Sequence, residues 1–425
     1  MSRNVVYNKS VLKNGVRVVT ERNDSSRAFS IGAFVDVGTR DEPLKLAGVS
    51  HMLEHMTFKG TKHRSAYQIA RSLEELGGDL NAYTSKEYTC YHGLVLKEHW
   101  RESLDVVCDL VTSMKAKKED YDLEKSVILQ EIAMSADSVE EIAYDWYFEK
   151  ALGKHPLARP ILGTEKSVSS MKLREVEDYY ETYYRGNNLI IAAAGDVDHW
   201  DLVAALEKKM GSVKGRMVSK KREKPKHFKI RDVIEKQAEQ THVLIGIPVG
   251  SFKDPSRFEA SIVNNLLGGG MTSRLFQSVR EKKGLAYSVY SSLNTFVDFG
   301  LLMIAAGTQA NQAPKLLETI RKEMLKLLKN GISKSDLELF RTQLNGAILL
   351  GSDDVENRMT SLGVNEMVYG HYRPVEKVIA EIDAVTLDST HEFLEEKLRI
   401  DQAGLLVVGS GTGRIEKQVK EWGLT

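Results

Sequence analysis

The sequence predicts an α+β fold of two homologous modules, each a largely antiparallel β-sheet with helices packed on one face. Three observations predict it. Strand-like and helix-like periods come in clusters, the same landmarks recur twice in the same order, and 425 residues exceed one ordinary core.

The clusters come first. Residues 16–20, 30–37 and 88–96 alternate or run apolar, as strands do, whereas 48–56, 67–76 and 121–136 repeat apolar residues at helical spacing. Strands grouped in this way argue against strict β-α-β winding. Apolar residues make up 42% of the chain, enough for each half to bury a core.

The repeat sets the domain organisation. A strand-like run from Ser30 to Gly38 is followed by Pro43, and a similar run from His242 to Gly250 is followed by Pro255, 212 residues on. Arg159-Pro160 returns as Arg373-Pro374, and the apolar run ending on Gly195 returns ending on Gly409, each 214 residues on. These landmarks place a first module at 1–213 and a second at 232–425. Between them, 214–231 holds nine Lys/Arg with Gly215 and Pro225 and little apolar periodicity, which predicts an exposed basic linker. As a nucleic-acid arm it lacks interleaved aromatics beyond Phe228.

Composition narrows the partners. Lys+Arg and Asp+Glu both number 59, so no overall field selects nucleic acid or an anionic membrane. No stretch approaches the roughly 18 apolar residues that span a bilayer. Residues 1–14 carry Arg3, Lys9 and Lys13 without a continuous apolar run, unlike a secretory signal. Cys90 and Cys108 are too few for a disulfide framework, and the compartment expected is the cytoplasm.

The chemistry lies in residues 51–55, His-Met-Leu-Glu-His. On a helix His51 and His55 are i and i+4, so both rings project to one side and can share one Zn²⁺. Glu54 is placed to reach an activated water as general base, the mirror of the His-Glu-x-x-His arrangement. A catalytic zinc needs a third protein ligand, and the candidate is Glu131. It falls on or beside the face that Leu123, Val127, Ile128 and Ile132 mark as buried, where a carboxylate needs a cation. Glu124, two turns away on the same side, suits an acid that orients a histidine ligand. The 212-residue offset maps His51, Glu54 and His55 onto Val263, Leu266 and Leu267, so the second module has no such site. The expectation is one zinc per chain.

Residues 48–61, Gly-Val-Ser-His-Met-Leu-Glu-His-Met-Thr-Phe-Lys-Gly-Thr, resemble the inverted zinc motif of the insulinase/pitrilysin family (M16). The 76-residue spacing from His55 to Glu131 also matches. The resemblance covers nearly the whole chain and is strongest to two-module bacterial peptidases related to the mitochondrial processing peptidase. It implies a zinc endopeptidase that hydrolyses extended or unfolded peptide segments within an enclosed chamber. It also implies that Asn81 and Ala82, in an edge strand, hold the substrate backbone. Arg280 and Tyr287 match the family's Arg/Tyr pair, and both can donate hydrogen bonds to a substrate carbonyl or developing oxyanion. A chain with both the zinc motif and this pair suits a homodimer, with a heterodimer with an inactive relative as the other assembly. Gly268-Gly269-Gly270 is not followed by Gly-Lys-Ser/Thr, so it is no phosphate loop. As a short turn it departs from the long glycine-rich loop of the mitochondrial noncatalytic subunit. The rival functions are a noncatalytic scaffold or partner subunit, and a zinc hydrolase acting on something other than a peptide.

Overall fold

Side-chain alternation in the strand Ala28–Val35 sends Phe29, Ile31, Ala33 and Val35 to one face and Phe34 to the other. A sheet forms around that strand in the computed structural model, which describes residues 5–215 and 220–422. Its strands are β1 (Val5–Val11), β2 (Arg17–Asn23), β3 (Ala28–Val35), β4 (Asp79–Thr84), β5 (Thr89–Leu96) and β6 (Leu189–Gly195). Their order is β1-β2-β6-β3-β5-β4, and only β2 and β6 run parallel.

A second sheet repeats the plan. Its strands are β7 (Arg231–Glu235), β8 (Thr241–Val249), β9 (Ala286–Thr295), β10 (Gly300–Thr308) and β11 (Gly404–Gly409). The order is β7-β11-β8-β10-β9, again with one parallel pair, β7 with β11. Position for position, β2-β6-β3-β5-β4 matches β7-β11-β8-β10-β9, so the duplication read from three landmarks is a duplication of topology.

Helices cover one face of the first sheet, as expected. The first five helices in the chain are α1 (Val49–Lys59), α2 (Ala66–Glu74), α3 (Trp100–Thr112), α4 (Lys118–Asp137) and α5 (Val139–Leu152). Val49, Met52, Leu53 and Met56 of α1 join Leu104, Val107, Leu110 and Val111 of α3 in one core with Ile31, Val35 and Ile191. In the second sheet the helix Arg257–Gly268 follows β8 as α1 follows β3, and its Val263, Leu266 and Leu267 are buried.

The opposite faces are covered too, by an exchange of helices. The first compact unit takes the chain up to Ala133, then Arg159–Arg222 and Leu350–Arg373; the second takes Met134–Ala158, Glu223–Leu349 and the chain from Pro374. Packing thus cuts across the halves 1–213 and 232–425 that the repeat marks. The physical reason is apolar surface. Val19, Phe34, Ile190 and Ala192 form a second apolar face, and the helix Val355–Tyr369 buries it with Met359 and Leu362. Each such side chain contributes about 1.5–3 kcal/mol when fully buried. Gly32 and Gly363 permit the approach: a Cβ on Gly363 would lie 2.3 Å from the Phe34 ring, and one on Gly32 2.4 Å from Met359 Sδ. Arg358 pairs with Glu21, and Lys9 with Glu366 at 2.8 Å, at the rim of the same contact. In the second unit α5 plays this part, laying Val139, Ala143 and Tyr147 on Leu244, Met303 and Leu406.

The basic segment after the first module is not wholly exposed. Arg222 donates to both oxygens of Asp41, at 2.9 and 2.7 Å, and Lys220 pairs with Asp36 at 2.8 Å. Those cations are committed to the first unit, which removes them from any nucleic-acid surface. Cys90 and Cys108 are buried and unbridged. Among the described residues no helix is long and apolar enough to cross a membrane.

Candidate metal centre

Helix α1 starts at Gly48, whose φ of 91° lies in the left-handed region that glycine tolerates. A Cβ there would also meet Leu162 O at 2.6 Å. The apolar residues of α1 face the core, and this turns His51, Glu54 and His55 to the other side, where each is partly buried. Helix α4 approaches with a stripe of Tyr121, Glu124 and Ile128 buried, and Glu131 continues it. This corrects one expectation: Leu123 is 58% exposed. The helix is rotated so that the two carboxylates, rather than Leu123, face inward.

The three expected ligands come together. His51 Nε2 and His55 Nε2 lie 3.9 and 3.8 Å from Glu131 Oε2. One donor atom from each residue lies within 4.8 Å of the others. These gaps are too long for hydrogen bonds and suit donors around one cation. Glu131 Oε2 is itself shut off from solvent and has no hydrogen-bond partner among the described residues. A buried carboxylate oxygen without a donor is costly, so the residues present fit a divalent metal. Two imidazoles with one carboxylate are a donor set that zinc accepts.

The surrounding groups set protonation. Glu124 Oε2 accepts from His55 Nδ1 at 2.8 Å, and Lys59 Nζ lies 2.7 Å from Glu124 Oε1. With its proton on Nδ1, His55 keeps the Nε2 lone pair for the metal. Burial, helped by the neighbouring His55, pushes His51 down to about 4, which favours its neutral, ligating form. Burial raises the Glu54 carboxyl, while Thr84 Oγ1, donating to Glu54 Oε2, pulls the other way.

Asn81 and Ala82 sit on β4, the edge strand of the first sheet, paired inward with His92 and Tyr91 of β5. Asn81 Oδ1 accepts from Ala82 N at 2.8 Å. Arg280 and Tyr287 belong to the second unit. There the Arg280 guanidinium lies 4.7 Å from the Tyr287 ring centre and 4.8 Å from that of Phe276, and Tyr287 is 77% exposed. The pair lines a cavity of about 310 Å³ with Gly268, Gly269, Gly270 and Met271.

Sequence reasoning missed three residues at the site. Thr84 had a usable signal: strand alternation puts it on the same side of β4 as Ala82, which packs on the α1 core. Lys59 is i+4 from His55, also legible. Glu42, whose carboxylate accepts from the backbone N–H of Gly48 and Ser50 at 2.8 Å each, left no sequence signal.

The chain is similar to known proteins over most of its length. The family described as Insulinase (Peptidase family M16) matches residues 17–165, and the Peptidase M16 inactive domain matches residues 170–344. The chain is 36% identical over 399 residues to an uncharacterized zinc protease of Bacillus subtilis, YmxG, covering 94% of this chain and 97% of that one. It is 33% identical over 384 residues to an uncharacterized zinc protease of Rickettsia felis, covering 90% of this chain and 92% of that one. Its fold is similar to that of a protease from Helicobacter pylori, with TM-score 0.89 at 22% identity over 95% of this chain and 99% of that one. It is similar also to a peptidase M16 inactive domain from Pseudomonas fluorescens, with TM-score 0.89 at 21% identity over 96% and 98%.

Proposed function

The chain belongs to the insulinase family of peptidases (M16), and from that premise we propose that it is a zinc-dependent endopeptidase cleaving extended segments of peptide chain. The observation that supports this most is the buried, unpartnered Glu131 Oε2 facing two imidazoles, with Glu54 on the same helix. His51, His55 and Glu131 are the residues that would hold zinc, one ion per chain. When bound, zinc supplies a Lewis acid that polarises the scissile carbonyl and acidifies water.

The protein's own groups do the rest. Thr84 occupies Glu54 Oε2, which leaves Oε1 to take a proton from the attacking water and return it to the leaving amine. Burial raises this carboxyl, which makes it a stronger proton acceptor than an exposed one. The substrate backbone pairs along the open edge of β4, a mode largely indifferent to side chains. A substrate carbonyl that takes the Ala82 N–H displaces Asn81 Oδ1 from it. Arg280 and Tyr287 are the donors proposed for a substrate carbonyl. The proposed assembly is a homodimer, since one chain carries both sets of residues.

The noncatalytic reading fits the second module and not the first: on the helix Arg257–Gly268 the face turned from the core, where α1 carries His51, Glu54 and His55, holds Ser261, Asn264 and Asn265. Cleavage of a pool of quenched peptides, blocked by 1,10-phenanthroline and restored by zinc, tests the proposal. A zinc-loaded protein with no cleavage of any peptide overturns it.

A further inference from the structure

Metal donors at this site come from two helices, so their separation depends on how α1 is rotated and shifted against α4. Productive sites tolerate errors of only about 0.5 Å and 10–20°. Something must therefore fix α1 at its start, two residues before His51. The usual device is a capping side chain on the residue that opens the helix. Here that residue is Gly48, which has none.

The structure assigns this task to Glu42: it is the positioning residue that sets the axial rotation of α1 and thereby the spacing of His51 and His55 from Glu131. The inference rests on the zinc reading above. Glu42 is 4% exposed. Its Oε2 accepts from Gly48 N and its Oε1 from Ser50 N, both at 2.8 Å. These N–H groups belong to the turn whose donors have no partner within the helix. A single carboxylate bridging two of them fixes both rotation and axial position, which one bond does not. Its own backbone is tied down as well, because Arg159 donates to Glu42 O.

Other contacts hold the same turn without this leverage. Ser50 Oγ meets Tyr179 OH at 3.0 Å, and Ser167 Oγ donates to Ala47 O at 2.7 Å. Each is a single hydrogen bond. Losing the Ser50–Tyr179 bond loosens the turn but leaves the backbone bridge intact. This difference separates positioning from general support.

The test compares Glu42→Gln with Tyr179→Phe in the full chain. E42Q keeps the size but turns one acceptor into a donor that faces a backbone N–H. Zinc affinity is read by competition with a chromogenic chelator, and ligand geometry by the absorption bands of the cobalt-substituted protein. Expected for E42Q are a zinc Kd raised about tenfold, shifted cobalt bands, and a kcat that falls while KM holds. Y179F should match the wild type in all of these. An E42Q protein with the wild-type Kd and bands overturns the inference, and so does a Y179F protein that weakens zinc as much as E42Q. Should E42Q not fold, Glu42→Asp decides by the same readings, since its acceptors fall one methylene short. Wild-type protein that takes up no zinc overturns both this inference and the zinc reading. Zinc-binding wild type with an unaltered E42Q overturns only the inference.

Discussion

Glu124 Oε2 accepts the Nδ1 proton of His55 at 2.8 Å, across 69 residues of sequence. That bond joins α4 to α1 and fixes which ring nitrogen faces Glu131. Removing the charge while keeping the shape should therefore weaken the metal rather than the fold. Glu124→Gln is expected to raise the zinc Kd roughly 10- to 100-fold. Chelator competition measures it, and an unchanged Kd would remove Glu124 from the site.

Glu54 is assigned the proton, not the metal. Glu54→Gln should keep one zinc per chain and lower turnover by roughly 10² to 10⁴. Zinc content and peptide cleavage measured on the same preparation separate the two. Retained turnover in the zinc-loaded variant sinks the assignment.

Thr84 donates to Glu54 and holds its carboxyl lower than burial alone would. Thr84→Val removes that donor, so the Glu54 pKa should rise. A base must be unprotonated to act, so the acid limb of the kcat/KM profile should move to higher pH. A limb that stays in place or moves to lower pH contradicts the pairing.

His227 reports on the second unit. Burial, with Arg231 nearby, pushes its imidazole down to about 4, and its Nε2 lies 3.2 Å from Tyr147 OH. The folded state therefore binds fewer protons than the unfolded chain below the ordinary value of 6.5. Its contribution is full above pH 6.5 and is lost as pH falls towards 4. From pH 7 to 5 the loss is about 2 kcal/mol. His227→Gln should show a smaller fall in urea stability over that interval, and an equal fall would assign the acid sensitivity elsewhere.

Gly363 tests the exchanged helix. Gly363→Ala puts a Cβ 2.3 Å from the Phe34 ring, with the helix packed against β3. The expected cost is about 1–3 kcal/mol. Denaturant unfolding of the variant checks it, and an unaltered midpoint would mean that the contact yields without strain.

The sequence by itself determined the strand and helix periods and the duplication, and it named His51, His55 and Glu131, which the fold gathers at the candidate metal centre. It could do so because those signals are local or repeated. His51, Glu54 and His55 lie within one helical turn and a residue, and Glu131 and Glu124 lie on a single helix. The 212-residue offset is corrected by the structure: Val263, Leu266 and Leu267 face the core, and the face equivalent to His51, Glu54 and His55 carries Ser261, Asn264 and Asn265, because the segment between strand and helix differs in length in the two halves.

Only the tertiary structure decided which helix covers the second face of each sheet. Residues 134–158 and 350–373 carry ordinary helical patterns, and nothing in a pattern says which sheet an apolar stripe will meet. The face of α4 was misjudged at Leu123 for a related reason: periodicity ranks apolar residues inward, whereas here Glu124 and Glu131 turn towards the two histidines of α1. Glu42 was invisible because its partners are backbone N–H groups, which every residue but proline has. Hydrophobic periodicity is written along the chain, whereas a carboxylate bridging Gly48 N and Ser50 N exists only once the chain has folded back on itself.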